Sequence, residues 1–465
     1  MSMSYLRWKR PLLPAVTLAI FGLSLISVPL LLQYHYNHPV FVWNSQLRGP
    51  PVHKCAHYLQ PNSTDAWTPS KFLNGPPTKR FRDNLRKDEY YITTLANAGF
   101  TNEFMGIVNM LYLSMLSNRI PILPPFAPHH HLPYEAGVIP FGDIFDLRHL
   151  RSVIQWPILE WRDVKELSSE RGDPYSPYTV EPIGCWAASA ELGHPPEIVL
   201  SYVHHLGLDV SFTYVLRNTR RLPDRIGDTH VLFAPLAALV YPTGPSVEPE
   251  SLPLAAMSPE GSTLSPDRHL ACFDTLYYTT SVAHQDFEWE YAWSPAWNFV
   301  GQHLKFTDPI LQIATLYLRN LFNVSPGQEL PQFIAIHIRR GDLKDLCSGE
   351  DCYQHLATYV KAVQEVREEI LLKHGVNVDK VFVASDERSP EYWSDIKKLG
   401  WRNINHTEAR TNERYGQWYP IIVDVVAQSL AAGFVGTSPS TFSLVSKRRV
   451  EVWNDGPTRM VAYAR

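Results

Sequence analysis

The sequence predicts an α/β protein of two domains built on parallel sheets, carried behind an N-terminal apolar segment. Three observations predict it. Short apolar strand-like runs alternate with longer helical stretches through the C-terminal part, as parallel strands joined by crossover helices require. A chain of 465 residues, 45% of them hydrophobic, exceeds what one core organises, because single cores stop growing beyond about 250 to 300 residues. Finally, Pro11 to Leu32 runs for 22 residues without a charged side chain, behind Arg7, Lys9 and Arg10.

That segment is long enough to span a bilayer. At about 1.5 Å per residue it covers a hydrocarbon core about 30 Å thick, and basic residues on its N-terminal flank hold that side in the cytoplasm. Residues 1–10 then read as a cytoplasmic tail and 11–32 as a transmembrane signal anchor. A cleaved signal peptide is the competing reading, but the apolar run is longer than an h-region and Gln33-Tyr34-His35-Tyr36 offers no small-x-small cleavage site. The expectation is a single-pass type II membrane protein of the Golgi or endoplasmic reticulum, with its bulk lumenal. Residues 33–85, rich in Pro, Asn, Ser and Thr and without periodicity, read as a stem.

Sequons at Asn62, Asn323 and Asn405 are candidate glycan acceptors in such a compartment. Five cysteines are too few for a disulfide scaffold and too scattered for a zinc site. Cys347 and Cys352 could close a small loop, and a Cys185 to Cys272 bridge would leave Cys55 over; the connectivity stays open. A net charge of -4 with no long basic run argues against a nucleic-acid partner.

The first domain is expected over 86–325, with folded structure starting near Tyr90. Tyr90 to Leu95 has strand character, Asn97 to Asn102 is a turn, and Phe104, Ile107, Val108, Leu111 and Met115 are spaced for a helix over 103–116. A short strand follows at Ile120 to Leu123. A glycine turn feeding a helix start aims backbone N–H groups and the positive end of the helix dipole at whatever lies above. His129-His130-His131 is flanked by Pro128 and Pro133 with no acidic neighbour, so no metal is expected there. Pro242 to Pro266 reads as a surface loop without chemistry. The aromatic cluster from Phe287 to Phe299 fits core packing better than a ligand groove.

The second domain is expected over 326–465. Its predicted elements are a strand at Phe333 to Ile338, a helix over 353–373, a strand at Lys380 to Ala384, a helix over 419–432 and a short strand at Gly433 to Val435. The first of these strands runs directly into Arg339-Arg340-Gly341-Asp342. Guanidinium forks at the carboxyl end of a parallel strand suit the oxygens of a diphosphate. The alternative is that both arginines pair with Asp342 and with carboxylates elsewhere. The hydroxyl-rich loop Gly436 to Ser443 provides a second set of small phosphate contacts.

His337-Ile338-Arg339-Arg340-Gly341-Asp342, Val383-Ala384-Ser385-Asp386-Glu387 and Gly436-Thr437-Ser438-Pro439-Ser440-Thr441-Phe442-Ser443 resemble, in order, three C-terminal motifs of the GDP-fucose protein O-fucosyltransferases and the related α1,6-fucosyltransferases. The Ala98-Gly99-Phe100-Thr101-Asn102 turn is similar to the family's glycine-aromatic turn. This resemblance implies a GT-B-like fold of two facing Rossmann-like domains, with GDP-fucose as donor substrate and no separate cofactor. By the same resemblance Arg339 contacts the β-phosphate and stabilises the departing GDP. His337, Arg340 and Asp342 shape its pocket, Asp386 lies near the nucleoside, and Ser440, Thr441 and Phe442 hold phosphate and base. Gly99, Phe100 and Asn102 complete the candidate nucleotide-sugar site.

The implied activity is inverting transfer of fucose to a hydroxyl of a protein or glycan acceptor. It is expected to be independent of metal, since no Asp-x-Asp motif occurs in the chain. One position departs from the family. Where some members carry a glutamate before the glycine-aromatic turn, this chain has Ala98. Glu103 is the nearest carboxylate and the candidate catalytic base, its alternative being an ordinary first-turn glutamate. A nucleotide-sugar-binding membrane protein of the same fold without catalysis is the competing function.

Overall fold

The structure, a computed structural model, describes residues 67–462 apart from 96, 168–179, 191–194, 198, 226, 245–251, 286 and 342–353. The anchor segment, the first part of the stem, Asn62, Asp342, Cys55, Cys347 and Cys352 lie outside the described residues. Among the described residues no helix is long and apolar enough to cross a membrane.

Two parallel sheets dominate the described body. The first draws on β1 (Tyr91–Thr94), β2 (Ile120–Leu123), β3 (Leu159–Glu160), β4 (Glu181–Ala187), β5 (Leu208–Tyr214), β7 (Leu254–Ala256) and β8 (Leu270–Phe273), ordered β3-β2-β1-β8-β4-β5-β7. All of its pairs are parallel except β5 with β7. A separate parallel pair joins β6 (Val231–Leu232) to β9 (Thr279–Thr280). The second sheet is wholly parallel, with β10 (Phe333–Ile338), β11 (Lys380–Ser385), β12 (Gly433–Ser438) and β13 (Thr458–Ala462) in the order β11-β10-β12-β13. Every residue of β10 is buried, which is why it reads as a nearly continuous apolar run rather than an alternating one. Cys185 of β4 and Cys272 of β8 form a disulfide between strands of the first sheet.

The hydrophobic interior does not stop between the sheets. Phe104, Ile107 and Leu111 of the helix Phe100–Leu116 share one core with Trp289 and Trp297, with Ile422 and Val426 of the helix Tyr419–Ser429, and with Leu444 of the helix Thr441–Trp453. Arg449 lies within that joint. Its guanidinium is fully buried without a hydrogen-bond partner and sits 4.8 Å from the Phe104 and Phe306 rings and 5.5 Å from Trp453. Cation–π attraction is the main offset to its desolvation.

Several expectations are corrected by packing. The stem does not extend to residue 85. Leu73, Phe81 and Leu85 are buried, the Phe81 N–H donates to Glu181 at 2.8 Å, and Asn84 donates to the Val164 carbonyl at 3.0 Å. The first helix starts at Phe100 rather than Glu103, because the Gly99 carbonyl already accepts the Asn102 and Glu103 N–H groups. The expected loop over 242–266 contributes the edge strand β7. The helix Asp308–Phe322, expected in the first domain, packs Leu318 and Phe322 against Phe333 and Phe382 of the second sheet.

Candidate active site

In the second sheet the chain runs from β10 to β11 on one side and returns to β12 on the other. This makes the space between β10 and β12 a topological switch point, where open parallel sheets bind ligands beyond their carboxyl ends. Thr437 ties the two strand ends together. Its hydroxyl donates to the His337 carbonyl at 2.9 Å and accepts the Arg339 N–H at 3.1 Å, while Tyr359 Oη lies 2.7 Å away. Ser443 Oγ accepts the Thr437 N–H at 3.0 Å and lies 2.7 Å from His337 Nδ1, so its own proton is available to the imidazole. Burial, reinforced by the Arg339 charge, pushes His337 down to about 3 and keeps it neutral. The Phe442 ring covers it at 4.6 Å between centroids.

The two adjacent arginines have different fates. Arg340 donates to Glu387 at 2.5 Å and lies 4.2 Å over the Tyr392 ring, while its backbone N–H is held by Asp386 at 2.7 Å. Arg340 is thus engaged with the β11 end, and its expected place in the phosphate pocket is corrected to a supporting one. Asp386 is exposed at the rim and closes tightly over Gly341, where any Cβ would come within 2.9 Å of its carboxylate. Arg339 is half-buried, and its charge acts on both His337 and Tyr277 of the first lobe. It therefore faces the junction of the two sheets.

At that junction two helix starts meet. Thr441, at the first turn of the helix capped by Ser440, donates to Asn102 Oδ1 at 2.6 Å, and Thr101 Oγ1 lies 2.9 Å from its hydroxyl. The helices Phe100–Leu116 and Thr441–Trp453 therefore present their positive ends side by side. Gly99 is tightly placed, since a Cβ there would come within 3.3 Å of His131. Phe100 does not reach the site. It is buried against Phe126 at 4.6 Å and Trp418 at 6.3 Å, so its expected contact with the nucleotide is corrected to a core role.

Glu103 is corrected as well. Only 2% exposed, it accepts the Ala127 N–H at 3.0 Å, and its other oxygen has no hydrogen-bond partner. Burial holds its carboxyl well above the ordinary carboxylate range, and it does not face the cleft. Of the aromatic cluster, Trp289 and Trp297 are core residues, whereas Tyr291, Trp293 and Phe299 are exposed.

A cavity of about 500 Å³ lies at the carboxyl ends of β1, β8 and β4, which is the switch point of the first sheet. Asn97, Ala98, Ser189, Glu197, Tyr277 and Tyr278 are among its walls. His129, His130 and Glu197 cluster at one side. The Ala98 N–H can only donate, and it lies 2.9 Å from His129 Nδ1, so the ring proton is on Nε2 and points to Glu197 at 3.0 Å. With that tautomer the His129 nitrogen facing Glu197 donates to the carboxylate and has no lone pair for a cation. Burial and the neighbouring His130 hold His129 below its ordinary value, consistent with a neutral ring. Tyr277, Thr437, Ser443 and the His129–Glu197 pair carry no role that single positions announce. Only Thr437 and Ser443 had a signal, lying in the hydroxyl-rich loop.

Comparison with known proteins follows the same division. Residues 260–452 match the family model of the GDP-fucose protein O-fucosyltransferases. That stretch contains all three motifs around the second sheet and bears out the resemblance drawn from them, while the Ala98 to Asn102 turn precedes it. A sequence search among curated proteins finds no match. Among solved structures the chain is similar to POFUT1 in complex with GDP-fucose, at 15% identity and a TM-score of 0.48 over 81% of this chain and 99% of that one. The figures for POFUT1 in complex with GDP are 14%, 0.48, 81% and 99%. For the fucosyltransferase NodZ from Bradyrhizobium they are 12%, 0.38, 77% and 92%.

Proposed function

We propose that this chain, whose residues 260–452 match the family model of the GDP-fucose protein O-fucosyltransferases, is a GDP-fucose-dependent glycosyltransferase that moves fucose, with inversion and without a metal ion, to a hydroxyl of a protein or glycan. The observation that carries this reading is the convergence of Arg339 with the starts of two helices, one from each sheet, at the switch point beyond β10 and β12. Breaking the bond between fucose C1 and the β-phosphate oxygen develops negative charge on GDP. Fixed cationic and dipolar groups aimed at that oxygen lower the barrier without reorganising during the reaction. Arg339 supplies the fork, and the helix starts at Ser440 to Phe442 and at Gly99 to Thr101 supply the dipoles.

Inversion requires the acceptor to attack from the side of the sugar away from the diphosphate. The cavity beside Tyr277 supports that arrangement, because Tyr277 lines it and also senses the Arg339 charge. Two sheets in one chain, the first mostly and the second wholly parallel, suit a GT-B-like enzyme of this kind. We place the catalytic body in the lumen of the Golgi or endoplasmic reticulum behind the anchor at 11–32, and the exposed positions of Asn323 and Asn405 suit glycan addition there. The test is turnover. The full-length protein should release GDP from GDP-fucose in the presence of EDTA and much more slowly from GDP-mannose. No release from GDP-fucose contradicts the proposal.

A further inference from the structure

Transfer to a hydroxyl leaves a proton to be removed, and neither Ala98 nor the buried Glu103 can take it. Ala98 nevertheless belongs to a built arrangement. It sits at φ 69°, in the left-handed region that residues with a Cβ rarely adopt, and its N–H meets His129 Nδ1 at 2.9 Å. That contact leaves the proton on Nε2, which donates to Glu197 at 3.0 Å. Glu197 itself lines the cavity together with Asn102 and Tyr277, and its side chain is 60% exposed to it and to solvent. The arrangement is a carboxylate open on one side to an incoming hydroxyl and held on the other by a neutral imidazole, whose tautomer is set by the main chain.

We propose that Glu197 is the catalytic base that receives the acceptor proton, with His129 as the residue that positions it. This rests on the fucosyl-transfer reading and deepens it. The acceptor oxygen forms a bond to fucose C1 as its proton passes to the Glu197 carboxylate. The bond from C1 to the phosphate oxygen breaks, and GDP leaves with that electron pair. The carboxylate is thus supplied 99 residues after Ala98, through a histidine bonded to the same backbone N–H.

The full-length protein with GDP-fucose, and water or azide as acceptor, tests this without a known natural acceptor. Water must lose a proton on attack, whereas azide has none to lose. Glu197→Gln should lower GDP release with water about a hundredfold while GDP binds as in the wild type. Sodium azide should restore release in that variant with formation of fucosyl azide. His129→Ala should lower the water reaction partially and His129→Gln should recover most of it, because the amide returns an N–H donor to Glu197. Glu290, a carboxylate that Tyr277 also senses but that does not line the cavity, should tolerate Gln at near wild-type rate. Wild-type rates in Glu197→Gln with GDP binding intact, or failure of azide to restore release, overturn the assignment and leave the donor site standing. No turnover of GDP-fucose by the wild type overturns the transferase reading and this inference with it.

Discussion

Arg339 and Arg340 are chemically identical neighbours, and the structure gives them opposite roles. Successive residues leaving a strand point to opposite sides, so the side that carries His337 also carries Arg339 toward the first lobe, while Arg340 turns to Glu387 and Tyr392. Arg339→Ala should reduce turnover by an amount on the order of 3 kcal/mol in the barrier, with the fold unchanged by circular dichroism. Arg339→Lys should not recover the rate, since a point charge replaces a planar fork. Glu103 gives the converse prediction. A buried carboxyl whose ionisation is held well above its ordinary value costs stability as pH rises past that value, because the unfolded chain releases the proton more readily than the folded chain. Glu103→Gln, which keeps the acceptor for the Ala127 N–H, should retain full turnover and raise the urea midpoint at pH 7 to 8. Lost turnover with a normal fold would return Glu103 to the catalytic machinery. Helical geometry explains why its position misled: Thr101 and Asn102 reach Thr441, and the rotation to the next residue turns Glu103 into the core.

At the scale of elements, the ends of β10 and β12 are held by one hydroxyl. Thr437 joins the His337 carbonyl, the Arg339 N–H and Tyr359. Thr437→Val keeps the shape but removes the hydrogen bonds that join the His337 carbonyl, the Arg339 N–H and Tyr359. The expected loss is about 2 to 4 kcal/mol by urea unfolding, together with a lower kcat as Arg339 is less firmly placed; a change below about 0.5 kcal/mol would contradict the role given to Thr437. The strands and helices of the second sheet were legible because fully buried parallel strands advertise themselves as apolar runs. The helix Pro390–Lys398, the helix Thr441–Trp453 and β13 were not. In the second of these, three successive bases, Lys447-Arg448-Arg449, give no apolar signal, yet Arg448 and Arg449 are buried. A cation under aromatic rings from distant segments leaves no local pattern. The His129–Glu197 pair was hidden for a similar reason, its members lying 68 residues apart.

Over the whole molecule, helices flanking the two sheets share one apolar core, and burial acts on the histidines within the fold. Burial pushes His337 down to about 3 and His205 down to about 4. Below the ordinary histidine value near 6.5 the unfolded chain takes up protons that the folded chain refuses, so stability falls as pH drops from there toward these depressed values. Each such group contributes at most about 1.4 kcal/mol per pH unit. Relative to His337→Asn, whose amide oxygen can still accept from Ser443, the wild type should lose stability as pH falls from 6.5 to 4.5, read as a difference in the slope of the urea midpoint against pH. An identical slope in the two proteins would contradict the buried neutral state of His337.

The central claim is that the junction of the two sheets is a diphosphate site organised by Arg339. Calorimetric titration of GDP into the full-length protein with EDTA present, beside Arg339→Ala and Arg340→Ala, tests it most directly. The account predicts saturable binding by the wild type, loss of that binding in Arg339→Ala, and a much smaller loss in Arg340→Ala. Equal binding by Arg339→Ala and the wild type, or no GDP binding by the folded wild type, would contradict it.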